Sequence, residues 1–196
     1  MGAFTAAAAS AGGNPLWYAT RSFGLVALAL LTASVLLGVL TSQRIATPKW
    51  PRFASQALHR NVSLLALAVV GVHVLTTLMD TYVRITWWAA VVPFTSAYRT
   101  GYVALGTIAF DLLLVVTATS LARTLTGHRW WRLVHWSAYA AWPLALGHYL
   151  GTGTDARTSW GLLFALACLG AVSVAVLIRL AIERREGPVR VWGGGR

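Results

Sequence analysis

Along the chain, long apolar runs alternate with short segments that hold most of the arginines. Five runs reach about 20 residues, enough for an α-helix to cross a hydrocarbon core about 30 Å thick. They lie at roughly 22–41, 58–79, 102–122, 132–151 and 159–181. The pattern predicts an all-α fold, a polytopic membrane bundle of about five helices. Between the second and third runs, "ITWWAAVVPF" is apolar but too short to cross. Its Trp87 and Trp88 fit an interfacial segment on the outer face, and Trp130, Trp131 and Trp136 suit an inner aromatic belt. For all five, anchoring is the simplest role. The absence of long internal repeats weighs against a secondary transporter.

Composition supports this picture. Hydrophobic residues make up 57% of the 196 residues and charged residues 11%, less than half the charged share of a soluble domain. The net charge of +11 is not a nucleic-acid footprint, because the basic residues sit in the segments between spans. Twelve of them fall on one side of the expected membrane and four on the other, namely Arg21, Arg84, Arg99 and Arg157. The positive-inside rule then puts the N-terminus outside and the C-terminus in the cytoplasm. The expected organisation is a flexible tail over 1–20, a transmembrane domain over 21–182 and a basic cytoplasmic tail over 183–196. The opening "MGAFTAAAASAGGNPLW" lacks the basic start and long apolar core of a cleaved signal peptide. The single Cys168 excludes an intrachain disulfide and a cysteine-ligated cluster.

The histidines change the picture most. Four of five fall inside spans: His59 and His73 on the second, His135 and His148 on the fourth. Intramembrane ionisable residues are costly and are candidates for function. Spacings of 13 and 14 residues separate the rings by about 20 Å along each helix. Both spans run in the same direction, so His59 and His135 share one depth near the inner face, and His73 and His148 another near the outer face. Facing imidazoles at two depths suit two hemes stacked across the membrane, each with two axial histidines. Zinc fits less well, because each depth offers two imidazoles and no nearby Cys, Asp or Glu.

Fourteen residues are nearly four helical turns, so His59 and His73 share a face. Thirteen leave His148 about 140° away from His135 on a regular helix. Pro143 lies between them and is the expected site of a kink or a change in winding that turns both rings towards the second span. Gly71 and Gly147, beside His73 and His148, are candidates for close approach of a macrocycle or a neighbouring helix. Asp111, near the middle of the third span, reads equally as a proton or quinone-site group and as a neutral hydrogen-bonded residue. His128 reads as a solvated loop residue. Arg60, Arg129 and Arg132 lie near the inner pair, where they would meet heme propionates, dock an acidic donor or simply enforce topology. Arg84, Tyr98, Arg99 and Arg157 form the analogous outer set.

The segments "LHRNVSLLALAVVGVH" and "WWRLVHWSAYAAWPLALGHYL" resemble the ferric reductase-like transmembrane domain. That superfamily includes ferric reductases, NADPH oxidases and the heme-binding subunit of the bacterial methionine sulfoxide reductase system. The resemblance covers roughly residues 20–180. It implies two b hemes, the inner held by His59 and His135 and the outer by His73 and His148. It further implies transmembrane electron transfer in a bacterial plasma membrane. Members often have six spans, so one helix is missing by that standard. No βαβ pattern of a flavin–nicotinamide domain follows the last span. The expected donor is therefore a separate flavoprotein or a membrane quinol, and the expected acceptor lies outside. The competing expectation is a membrane anchor or assembly subunit without catalysis of its own.

Overall fold

The computed structural model describes residues 15–43, 51–80, 83 and 85–185. Residues 1–14 of the expected tail, Arg44, Lys49, Arg84 and residues 186–196 lie outside the described set. The described part of the chain is helical, with no strand. Helix α1 spans Pro15–Ser42 and α2 spans Arg52–Met79. A 3-10 turn at Trp87–Ala90 precedes α3, Thr100–Leu121. Two short helices follow, α4 at Arg123–Thr126 and α5 at His128–Trp136. Then come α6 at Ala138–Thr152, a 3-10 turn at Asp155–Arg157, and α7 at Ser159–Arg185.

Four of these helices, α1, α2, α3 and α7, are long and apolar enough to cross a membrane. Their large side chains face outward as well as inward: Leu75, Leu163 and Leu177 are each about three-fifths exposed. Such surfaces suit lipid as the outer solvent, where helices satisfy their own backbone groups. Helix α1 starts at Pro15, so residues expected in a flexible tail begin the first helix. Proline suits that place, because the first turn has no use for its missing N–H.

The fourth expected span is where the fold differs. It is not one helix but α5 followed directly by α6, and the change of winding falls at Ser137 rather than at Pro143. The Ser137 amide donates to the Val134 carbonyl at 3.0 Å, its hydroxyl donates to the same oxygen at 2.7 Å, and Ala140 N donates back to Ser137 O at 2.9 Å. These three-residue steps tighten the helix locally towards 3-10 geometry. Pro143 sits inside the continuous α6 with its ring exposed.

Helices α1 and α2 make the most extensive pairing and run antiparallel, while α3 pairs with α6 and α7 packs on α1. The buried core lies where α1, α2, α6 and α7 meet, around Leu28, Leu31, Ala66, Trp142, Leu146 and Cys168. One ion pair closes an end of the bundle. Arg21 on α1 binds Asp155 in the turn before α7, and the Trp17 ring lies 4.1 Å from the guanidinium.

Candidate functional site

The two histidine-bearing segments meet at two levels. The rings of His59 and His135 have centroids 6.2 Å apart at an interplanar angle of 78°. Those of His73 and His148 are 6.3 Å apart at 84°. A metal held between two imidazole nitrogens at about 2 Å on each side puts the centroids about 6 Å apart. Both gaps therefore have the width of one bridging metal. No group of three or more His, Cys, Asp or Glu gathers for a metal among the described residues. Each level offers a two-donor set. The tightened turn at Ser137 adds rotation in the direction that the spacing from His135 to His148 lacks, and both rings of this segment do face α2.

Three rings are seated by the same device. His73 Nδ1 donates to the Thr20 carbonyl at 2.8 Å, His59 Nδ1 to the Ser34 carbonyl at 3.0 Å, and His148 Nδ1 to the Tyr102 carbonyl at 2.8 Å. In each case a glycine stands one turn further along the acceptor helix: Gly24, Gly38 and Gly106. A Cβ built on these glycines would lie 3.0 Å from His73, 3.3 Å from His59 and 2.5 Å from His148 Nδ1. The missing side chain lets the ring reach a carbonyl that a helix normally screens. A carbonyl only accepts, so each bond fixes the proton on Nδ1 and leaves Nε2 with its lone pair. Thr152 Oγ1 approaches His148 Nε2 at 3.5 Å.

His135 is held differently. Its ring stacks on Trp131 at 5.1 Å, and its Nδ1 is shielded from solvent without a hydrogen-bond partner among the described residues. Trp131 in turn has Arg123 over its face at 5.4 Å and donates Nε1 to Ser120 Oγ at 3.2 Å. Trp131 thus does more than anchor at an interface.

Of the two glycines that the sequence pointed to, Gly71 meets nothing on its Cβ side and Gly147 admits Leu105 of α3. Neither seats a histidine. The glycines that do so lie on the opposing helices. The signal for them is register: the interval from Gly24 to Gly38 equals that from His59 to His73. Another residue missed in sequence is Trp142, roughly halfway between His135 and His148 along the chain. It is buried midway between the levels, with its Nε1 donating to the buried Thr32 hydroxyl at 3.0 Å.

A cavity opens beside the His73–His148 pair, walled by apolar residues of α1, α2, α3 and α6 and polar at one end, where Thr20, Arg21, Tyr98 and Asp155 line it. The Thr20 hydroxyl there is buried with no partner among the described residues. Arg99 and Arg157 line a separate crevice with Tyr102, and Arg99 donates to the Gly151 carbonyl. Arg60, Arg129, Arg132 and His128 are exposed. Asp111 is half-buried on α3 and lines neither cavity.

A family model described as "Ferric reductase like transmembrane component" matches residues 23–146, taking in His59, His73 and His135 and stopping just short of His148. No curated protein and no solved structure matches the chain. Four apolar spans and a match over more than half of the sequence make this a multi-pass membrane protein built for redox work across a membrane. The chain belongs to the ferric reductase like transmembrane component family.

Proposed function

We propose that the protein is a membrane cytochrome b that passes electrons between the two faces of a plasma membrane through two b hemes. His59 and His135 would hold one, and His73 and His148 the other. The observation that carries this reading is the pair of ring separations, 6.2 and 6.3 Å, at two levels of one bundle. A two-donor set is what remains for a protein to supply when a macrocycle fills the other positions of the metal. The locked Nδ1 protons of three rings suit ligation through Nε2. At the His73–His148 level, Arg21 and the unpartnered Thr20 hydroxyl give the cavity a polar end suited to propionates.

When bound, heme supplies one-electron exchange between ferric and ferrous iron. The chain's residues do the rest. The histidines set ligation and spacing, with the two levels about 20 Å apart along the helices. Trp142, held by Thr32, fills the intervening layer with a conjugated ring and keeps water out of it. In this reading the N-terminus is outside, the His59–His135 level faces the cytoplasm, and a separate flavoprotein or quinol donates there to an acceptor outside. The test is a reduced-minus-oxidised visible spectrum with heme quantification on protein expressed in heme-replete cells. Two hemes per chain with b-type bands are expected; protein with no b-type spectrum would sink the reading.

A further inference from the structure

Four arginines lie on the sparsely basic side of the expected membrane, where topology gives no reason for them. Arg21 is accounted for by its pair with Asp155, and Arg84 falls outside the described residues. Arg99 and Arg157 come together on one crevice, between the start of α3 and the end of α6. Both are exposed, and neither guanidinium has a carboxylate partner among the described residues. No described Asp or Glu lines the crevice. The loop before α3 is strained at this point. Phe94 and Arg99, at φ 67° and 40°, are the two described non-glycine residues with a left-handed backbone, and both line the crevice. That backbone is costly for a residue with a Cβ and clusters at binding sites.

The walls below the arginines are apolar. Leu105 lies six residues beyond Arg99 on the membrane-crossing α3, about 9 Å deeper, and Leu150 of α6 lines the same space. The Trp87 and Trp88 rings, stacked at 3.7 Å and more than half exposed, mark this end of α3 as the interfacial layer. Thr107 ties their turn to α3 by donating to the Ala89 carbonyl at 2.6 Å. Cations above apolar walls at that depth match a phosphate with acyl chains beneath it. We propose that this crevice binds one anionic phospholipid, its phosphate between Arg99 and Arg157 and its acyl chains running down past Leu105 and Leu150. Arginine suits the phosphate because its planar fork donates two parallel bonds. With no carboxylate to receive an amine, the crevice favours a headgroup that is otherwise uncharged, such as phosphoglycerol. Tyr102 separates this lipid from the histidines: its carbonyl accepts from His148 Nδ1, and its ring lies where a Cβ on Gly151 would stand.

The test titrates the full chain, purified in dodecyl maltoside and stripped of lipid, with dioleoyl phosphatidylglycerol and with dioleoyl phosphatidylcholine. Native mass spectrometry counts the lipid bound. One phosphatidylglycerol per chain is expected, held about tenfold or more tighter than phosphatidylcholine, as one charge-assisted bond implies. Arg99→Gln and Arg157→Gln should each weaken phosphatidylglycerol about tenfold and phosphatidylcholine less. The double variant Arg129→Gln, Arg184→Gln removes two exposed charges elsewhere and should leave the preference intact. Arg99 also holds the Gly151 carbonyl. Should Arg99→Gln fail to fold, Arg157→Gln decides, because its guanidinium has no other partner among the described residues. Equal affinity for the two lipids, a preference unchanged in Arg157→Gln, or one lost equally in the Arg129→Gln, Arg184→Gln variant overturns the site. Displacement of the lipid by millimolar inorganic phosphate or citrate overturns it in favour of a soluble anion. Heme is read in no arm, so failure of the two-heme reading leaves the lipid site standing.

Discussion

At the scale of single residues, the site turns on contacts between a histidine ring and a position with no side chain. A Cβ less than about 3.4 Å from a ring atom forces the ring to move, and the ring then loses its carbonyl. The three seats therefore rank. Gly106→Ala, with its Cβ 2.5 Å from His148 Nδ1, should cost most heme; Gly24→Ala, at 3.0 Å, should cost less; Gly38→Ala, at 3.3 Å, should cost least. Heme-to-protein ratio after purification measures the order, and Gly38→Ala losing more than Gly106→Ala would contradict it. The ion pair at the end of the bundle ranks in a similar way. Asp155 is 5% exposed, so Arg21→Ala leaves a buried carboxylate without its cation. Because Arg21 is itself partly exposed, the expected loss is about 1–3 kcal/mol. It would be read as a lower midpoint in thermal unfolding in detergent, with the double variant Arg21→Ala, Asp155→Asn recovering part of it. The histidines were legible in the sequence because titratable rings inside apolar runs are rare. Their glycines were not, because glycine is frequent in membrane helices and only the opposing helix reveals which ones matter.

At the scale of helices, the fourth run shows what periodicity can and cannot reveal. Counting residues exposes the misfit between His135 and His148, and also points to a change in winding between them. It does not locate the change. Proline carries a strong local signal, whereas Ser137 looks like any small polar residue in a membrane helix. Its role arises from two bonds onto one carbonyl, that of Val134. Pro143→Ala should accordingly leave heme content and spectrum near those of the wild type. An alanine inserted between Ala140 and Ala141 turns everything beyond it by about 100°. It should therefore abolish the His73–His148 level and spare the other, giving about one heme per chain. Two hemes in the insertion variant, or a lost level in Pro143→Ala, would show that the winding is set elsewhere.

At the scale of the whole molecule, the excess of arginine on one side argues for a cytoplasmic C-terminus. A green fluorescent protein fused after Arg196 should fluoresce in cells and an alkaline phosphatase fusion there should be inactive; the reverse pattern would invert the assignment of inner and outer levels. Trp142 belongs to this scale too, because it lies between the levels and touches neither face. Trp142→Phe should keep both hemes while slowing electron equilibration between them, followed by rapid-mixing spectroscopy. Equal rates in the two proteins would reduce the residue to packing. The architecture of four to five apolar helices followed directly from hydropathy, because length and greasiness alone decide what spans a bilayer. The way α1 and α3 seat the rings depends on tertiary register, which no single run contains.

That register has a consequence of its own. On α1 and α2 the partners satisfy one rule: residue numbers 24 and 73, and 38 and 59, have the same sum. The two helices are therefore graduated like a pair of rulers laid in opposite directions, with their marks at equal intervals. A residue added to one ruler between its marks puts one seat out of line whichever way the helix adjusts. Only equal additions to both, in near-whole turns, would keep the marks aligned. The separation of the two levels can thus change in steps of about 5.4 Å. A long or short member of the same design should differ from this one by about one helical turn on both helices together.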